Sequence, residues 1–366
     1  MQMTEDMEKK LQDLPLVIGV DLGGTQLRVA VMQGSKLHSR VGLLVGKDTT
    51  PDTVINQIAQ GIHQALEEAD VTLEQIVGIG VGAPGPLDNR TGVVFSPPNL
   101  HGWHEVPLRD ILQQRFNVPI FVENDANTAG LGEYIFGAGR GSEDMVYLTI
   151  STGIGGGVIV KGEILEGVSG TAAELGHMTI DMHGPQCNCG NIGCLEAIAS
   201  GTAIARLANN AIAAGDGEEL LQFVRGMRED VGKNLDSYVH PTIGITSAVH
   251  DKFVEAAGPL LVNARTVSEA AKAGIPLARE IINNAGEALG VGLVNIIHIF
   301  NPAKIILGGG VTQMGDLILD PARRIVAERA MRHPLKAVTI EVSDLGGDVG
   351  LIGAGALVYH FIENRL

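Results

Sequence analysis

"VIGVDLGGTQLRVAVMQGSKL", residues 17–37, reads as an apolar strand, a glycine–threonine turn, a second apolar strand and a further turn. Residues 146–165, "VYLTISTGIGGGVIVKGEIL", repeat that pattern without repeating the residues. One strand–turn–strand design used twice predicts two similarly built halves. Outside the pair, strands and helices alternate, so the expected class is α/β. In "TVINQIAQGIHQALEEA" (53–69), Ile55, Ile58, Ile62 and Leu66 recur at helical spacing. "IVGIGVGAPGPL" (76–87) reads as a buried strand, and "VPIFVENDANTAGLGEYIFGAG" (118–139) as a strand entering a helix with Asn124 or Asp125 as its N-cap.

Beyond residue 200 the periodicity predicts helices over 202–214, 253–273 and 276–299. A strand at "KIILGGGV" (304–311), a helix over 317–332, a strand over 337–343 and a last helix over 350–364 complete the chain. The 215–250 stretch has weak periodicity and reads as an insertion or helical arm.

At 366 residues the chain is long for one core and comfortable for two domains. It is 45% hydrophobic and 19% charged, enough to bury a sizeable core. Its net charge of −16, with no cluster of Lys or Arg, argues against nucleic acid or an anionic membrane as partner. An acidic chain can still hold anionic substrates through backbone N–H groups and a metal ion. "MQMTEDMEKKLQDLPL" lacks the apolar core of a signal peptide, and no run of about 18 apolar residues spans a membrane. The three cysteines do not suit a disulfide framework, so the expected location is cytoplasmic.

Three glycine-rich turns end strands: "DLGGT" (21–25), "STGIGGG" (151–157) and "LGGG" (307–310). Backbone N–H groups freed in such turns can face phosphate oxygens, and Asp21 suits a Mg²⁺ held largely through water. The plain alternative for any one of them is a tight hairpin. Three in one chain with two similar halves point to a nucleotide held between lobes, with Thr152, Gly153, Gly155 and Gly156 in the second turn and a flat ring against the third. Glu123, Asn124 and Asp125 stand at a strand end, where α/β sheets place ligand sites. A carboxylate there can take a proton from a hydroxyl nucleophile, or Asp125 simply caps its helix.

All three cysteines fall in "CNCGNIGC" (187–194), ten residues after His177. His177, Cys187, Cys189 and Cys194 form a Cys₃His set that matches structural Zn²⁺ in number, softness and spacing. Four protein ligands leave no open position, which disfavours a zinc hydrolase. Glu174 and Glu196 flank the loop and suit acceptors for the hydroxyls of a polar substrate, and a zinc-bound His177 keeps its other N–H for the same substrate.

"DLGGT", "ENDANTA", "STGIGGG", "ELGH" and "CNCGNIGCLE" together resemble the ROK family (repressors, uncharacterised reading frames and sugar kinases) of the actin-like ATPase superfamily, over about residues 17–360. The resemblance implies two actin-like (ribonuclease H-like) lobes with a ligand cleft between them and a zinc-clamped loop. The implied division is a tail at 1–16, a small lobe at 17–125 joined by the C-terminal helix 351–366, and a large lobe at 126–350 with the zinc loop 177–194. It implies phosphorylation of a hexose 6-hydroxyl by ATP, with Mg²⁺ and structural Zn²⁺, and a homodimer or homotetramer. By position, Asp125 matches the catalytic base, and Asn99, Asn124, Glu174, His177 and Glu196 the sugar contacts. Gly23, Gly24, Thr25, Thr152 and Gly153 match the phosphate turns, and Gly309 the adenosine patch. Only twenty residues precede Asp21, too few for a repressor's DNA-binding domain, so a glucokinase-like enzyme is expected. N-acetylmannosamine, N-acetylglucosamine, allose or fructose kinases, or a non-catalytic sugar-binding regulator, are the alternatives. Two features depart from the family pattern: Ser151 where glycine is common, and the longer 215–250 segment.

Overall fold

The apolar run at 16–22 is buried almost throughout, as a strand covered on both faces of its sheet must be. The computed structural model describes residues 14–97, 99–233 and 262–363. It folds this run as β1 (Leu16–Leu22), which pairs antiparallel with β2 (Gln26–Gln33). Strands β3 (Lys36–Leu37) and β4 (Val41–Leu44) both pair with β2. Helix α1 (Pro51–Ala69) follows, with Pro51 in its first turn and Ile55, Ile58, Ile62 and Leu66 on its buried face. Strand β5 (Ile79–Ala83) then runs parallel to β1.

Short strands β6 (Leu87–Asp88), β7 (Val93–Val94) and β8 (Val106–Pro107) form a three-stranded sheet of their own. Helix α2 (Leu108–Phe116) returns the chain to β9 (Ile120–Asn124), parallel to β5. The first main sheet therefore runs β3-β2-β1-β5-β9.

Helix α3 (Asp125–Phe136) leads to β10 (Met145–Ile150), β11 (Ile154–Val160) and β12 (Glu163–Ile164). Helices α4 (Leu195–Ala199), α5 (Gly201–Ala214) and α6 (Glu218–Lys233) follow. Within the 215–250 segment α6 is the described part; residues 234–261 lie outside the described residues. The helix expected over 253–273 is described from α7 (Ala264–Lys272), capped by Asn263, and α8 (Pro276–Phe300) matches its expected span within a residue.

Strand β13 (Lys304–Gly308) precedes α9 (Asp316–Arg329). A separate short helix, α10 (Arg332–Ala337), stands where one helix and the start of a strand were expected. Ala330 adopts extended backbone and ends α9, and Pro334, in the first turn of α10, costs no hydrogen bond there. Strand β14 (Thr339–Val342) and α11 (Val349–Glu363) close the chain.

The second main sheet runs β12-β11-β10-β13-β14, with β10 antiparallel to β11 and parallel to β13. Its order is that of the first sheet: hairpin, central strand, then two parallel neighbours. The repeated segments 17–37 and 146–165 are the two hairpins. Each sheet has its own core. A third cluster, including Val17, Met32, Ala129, Leu131, Tyr147, Ile306, Leu351 and Leu357, joins the two through α3 and α11. The helices can meet because Gly353 has no side chain; a Cβ there would lie 2.1 Å from the Thr128 carbonyl oxygen. Among the described residues, no helix is long and apolar enough to cross a membrane.

Candidate active site

The C-terminal end of β9 and the start of α3 decide how Asp125 is presented. Asn124 is the N-cap, its Oδ1 accepting from the backbone N–H of Ala126 at 2.9 Å and of Asn127 at 3.3 Å. A cap of this kind stabilises a helix by about 1 kcal/mol. Since Asn124 fills that role, Asp125 is not spent on it. The Asp125 carboxylate accepts from Ala126 N at 2.8 Å and stays open to solvent on one side. Protein crowds the other sides, and that desolvation, together with the negative charges of Asp21 and Glu174, pushes its pKa up to about 6. Asp21, Asp125 and Glu174, far apart in sequence, are therefore neighbours in space.

Asp21, at the end of β1, forms an ion pair with Arg28, which also donates to the carbonyl of Gly347. Gly23, Gly24 and Thr25 form the β1–β2 turn, with Gly23 N donating to Gln26 O at 2.9 Å. Asn99 lies against Gly24, where a Cβ would come within 2.6 Å of the asparagine Cβ. In the β10–β11 turn, the carbonyl of Thr152 accepts from Thr202 Oγ1 at 2.7 Å, and Glu196 Oε2 accepts from Ile154 N at 2.8 Å. Gly153 needs its missing side chain, because a Cβ would meet that Glu196 oxygen at 2.4 Å. Gly309, left-handed at φ 88°, follows β13 and packs on the carbonyl of Ile150, just before the same turn. Asn124 and Glu174 line one shallow recess with Gly85, Pro86, Leu87, Asn127 and residues 170–172.

The Cys₃His set converges. The ligand atoms of His177, Cys187, Cys189 and Cys194 lie within 4.8 Å of one another. Cys187 Sγ is 3.6 Å from His177 Nδ1, and Cys189 Sγ is 3.7 Å from Cys194 Sγ. A tetrahedron with zinc–sulfur bonds of about 2.3 Å and a zinc–nitrogen bond of about 2.0 Å has edges of about 3.8 and 3.5 Å. The residues fit the metal. Burial pushes the Cys194 thiol up to about 12, so only a bound cation would hold it as thiolate. The geometry faces His177 Nδ1 toward the thiols, leaving Nε2 at 3.9 Å from Glu174 Oε2. Glu196 bridges loop and turn, its Oε1 lying 4.0 Å from Cys187 Sγ while Oε2 holds Ile154.

Residues 17–360 match the family described as the ROK family. The chain belongs to the ROK family. A glucokinase of Thermotoga maritima is 36% identical over 343 residues, covering 93% of this chain and 96% of that protein. A solved structure of a ROK family glucokinase from Streptomyces griseus, in complex with glucose and AMPPNP, is 32% identical, with a TM-score of 0.73 over 93% of this chain and 98% of that one. A xylose repressor of Caldicellulosiruptor bescii is 29% identical over 95% of this chain and 79% of its own length.

Sequence reasoning placed Glu123 at the ligand-bearing strand end without a role of its own, and gave none to Arg28, Asn89 or Glu166. Glu123 is fully buried beneath Asn124, accepting from Asn124 N at 2.7 Å and Asn127 Nδ2 at 3.0 Å. An acid one residue before the cap, in an otherwise apolar strand, was its available signal. Arg28 also had one, since Asp21 and Arg28 sit opposite each other in the β1–β2 register. Asn89 and Glu166, 77 residues apart, had none.

Proposed function

We propose that this chain is an ATP-dependent hexose kinase that transfers the γ-phosphate to the sugar's 6-hydroxyl, with glucose as the leading substrate. The carrying observation is Asp125: a carboxylate released from capping by Asn124, open to the cleft, and raised to about 6. A base with that pKa is ionised at neutral pH yet basic enough to take a hydroxyl proton as the oxygen attacks phosphorus. Phosphoryl transfer asks for little more than positioning, charge stabilisation and such a base.

In this reading, Asn99, Asn124, Glu174, His177 and Glu196 orient the sugar. Gly23, Gly24, Thr25, Thr152 and Gly153 receive the phosphates of ATP, and Gly309 lies under the adenosine. Asp21 keeps one carboxylate oxygen beyond its pair with Arg28, which suits the hydrated Mg²⁺ that neutralises phosphate charge. Zinc on His177, Cys187, Cys189 and Cys194 supplies a fixed cross-link, not chemistry. Residues 17–125 with the last helix, and 126–350, act as the two lobes whose closure excludes water from the γ-phosphate. The likeness to glucokinases over more than nine-tenths of the chain supports the reading.

A sugar-binding regulator is the second reading, favoured by the likeness to the xylose repressor. Asp125→Asn separates them. A kinase loses turnover by about a thousandfold or more, while calorimetry still finds sugar bound with affinity within about threefold. A variant that keeps more than about a tenth of the wild-type rate removes Asp125 as the base.

A further inference from the structure

One amide joins two carboxylates from the two halves of the chain. Asn89 sits in the turn between β6 and β7, and its Nδ2 donates to Glu123 Oε2 and to Glu166 Oε1, each at 2.7 Å. An Asn amide has two N–H bonds, one for each acid. Its Oδ1 is buried without a hydrogen-bond partner among the described residues, so the two acids alone hold the amide. Burial raises the pKa of Glu123 and the nearby charge of Glu166 raises it further, while the bond from Asn89 favours its charged form.

The two acids come from the two halves of the chain. Glu123 lies in β9, directly before Asn124 and Asp125. Glu166 follows β12 in the second sheet and opens a loop that Ala172 N closes by donating to Glu166 O at 3.1 Å. That loop lies against the first half: a Cβ on Gly170 would stand 3.3 Å from the Leu87 carbonyl oxygen and 3.7 Å from Asn89 Oδ1. Past the loop the chain turns at Ala173, left-handed at φ 65°, and delivers Glu174.

We infer that Asn89 is a positioning residue, a latch that holds the 166–172 loop and the Glu174 after it against the strand end bearing Asn124 and Asp125. On the kinase reading, on which this consequence rests, the latch sets how tightly the sugar is gripped and leaves the chemical step nearly untouched. Without it the loop keeps its own closing bond and the packing of Gly170, while its tip at Val168 is 95% exposed.

The test uses the full chain as Asn89→Ala, Glu166→Ala, the double variant, and Glu166→Gln. Amide hydrogen exchange of residues 166–172 without sugar, and sugar KM and kcat, are measured on each. Each alanine variant speeds exchange about tenfold and raises sugar KM about tenfold with kcat within about threefold, and the double is no worse than either single because both break one link. Glu166→Gln keeps an acceptor for Asn89 and returns KM most of the way to wild type. Glu166 is half-buried and outside regular structure, so its variants read the latch even where Asn89→Ala disturbs the buried Glu123. Unchanged exchange in Glu166→Ala, or a double variant whose KM multiplies the two singles, overturns the latch. Exchange needs no turnover: a wild-type chain that phosphorylates nothing sinks the kinase reading, while exchange alone still decides the latch.

Discussion

The two sheets share a strand order, yet their leading turns are fastened differently. The β1–β2 turn is held by its own neighbourhood: Gly23 N bonds Gln26 O at 2.9 Å, and Thr25 O accepts from Val45 N at 2.9 Å. Beside it, Asp21 is paired within the same hairpin, to Arg28. The β10–β11 turn has one bond of its own, Ser151 N to Gly153 O at 2.8 Å, and is otherwise held from outside. Glu196, on the helix that starts right after Cys194, takes Ile154 N at 2.8 Å, and Thr202 at the start of α5 bonds Thr152 O at 2.7 Å. One architecture thus carries two settings. The first turn is free to adjust locally; the second is built into the Cys₃His loop, so whatever orders that loop also orders the turn.

The largest expected effect breaks the second setting and spares the first. Wild-type protein should carry close to one zinc per chain by elemental analysis, and Cys189→Ser should lose it. With the loop released, sugar KM should rise about 10- to 100-fold. Amide exchange should quicken at 151–155 and stay unchanged at 22–26; equal quickening in both turns would refute the asymmetry.

The next concerns Asp125, where the halves meet. Its charged form must act, so kcat/KM should fall about tenfold per pH unit below its pKa of about 6. A profile flat down to pH 5 would exclude it as the base. The same group should limit stability. Its folded pKa is raised from 3.8 to about 6, so its charge costs the folded state. That cost is absent at low pH, grows as pH rises through this window, and is complete above it. Asp125→Asn should therefore be more stable at pH 7, by about 1–2 kcal/mol once screening at its open side is allowed for, and the gain should vanish near pH 4. Denaturation at both pH values measures it.

The smallest effect lies just before Glu174. Ala173 is held at φ 65°, a conformation glycine adopts without steric cost. Ala173→Gly should raise the unfolding free energy by about 0.5–1 kcal/mol in urea titration. A loss of stability would show that the Ala173 methyl group earns more by packing than its backbone gives up.

Much of the fold was legible because apolar periodicity is local. Ile55, Ile58, Ile62 and Leu66 lie on the buried face of α1, and the repeated hairpins occupy equivalent places in the two sheets. The Cys₃His set was legible because four soft ligands within eighteen residues have few other uses. The choice between Asn124 and Asp125 as cap was not, since both residue types cap well and only the helix start separates them. The Asn89 latch was hidden for another reason. It joins 89, 123 and 166 through chain packing, and no spacing rule reaches across two sheets.

The central claim is phosphoryl transfer to a sugar, and ADP release from Mg-ATP tests it most directly. Glucose, N-acetylmannosamine, N-acetylglucosamine, mannose, allose and fructose are assayed in parallel against a no-sugar control. Turnover on glucose should stand well above the control and above the other sugars. No turnover on any of them, with glucose still bound by calorimetry, would contradict it and leave a sugar-binding regulator in its place.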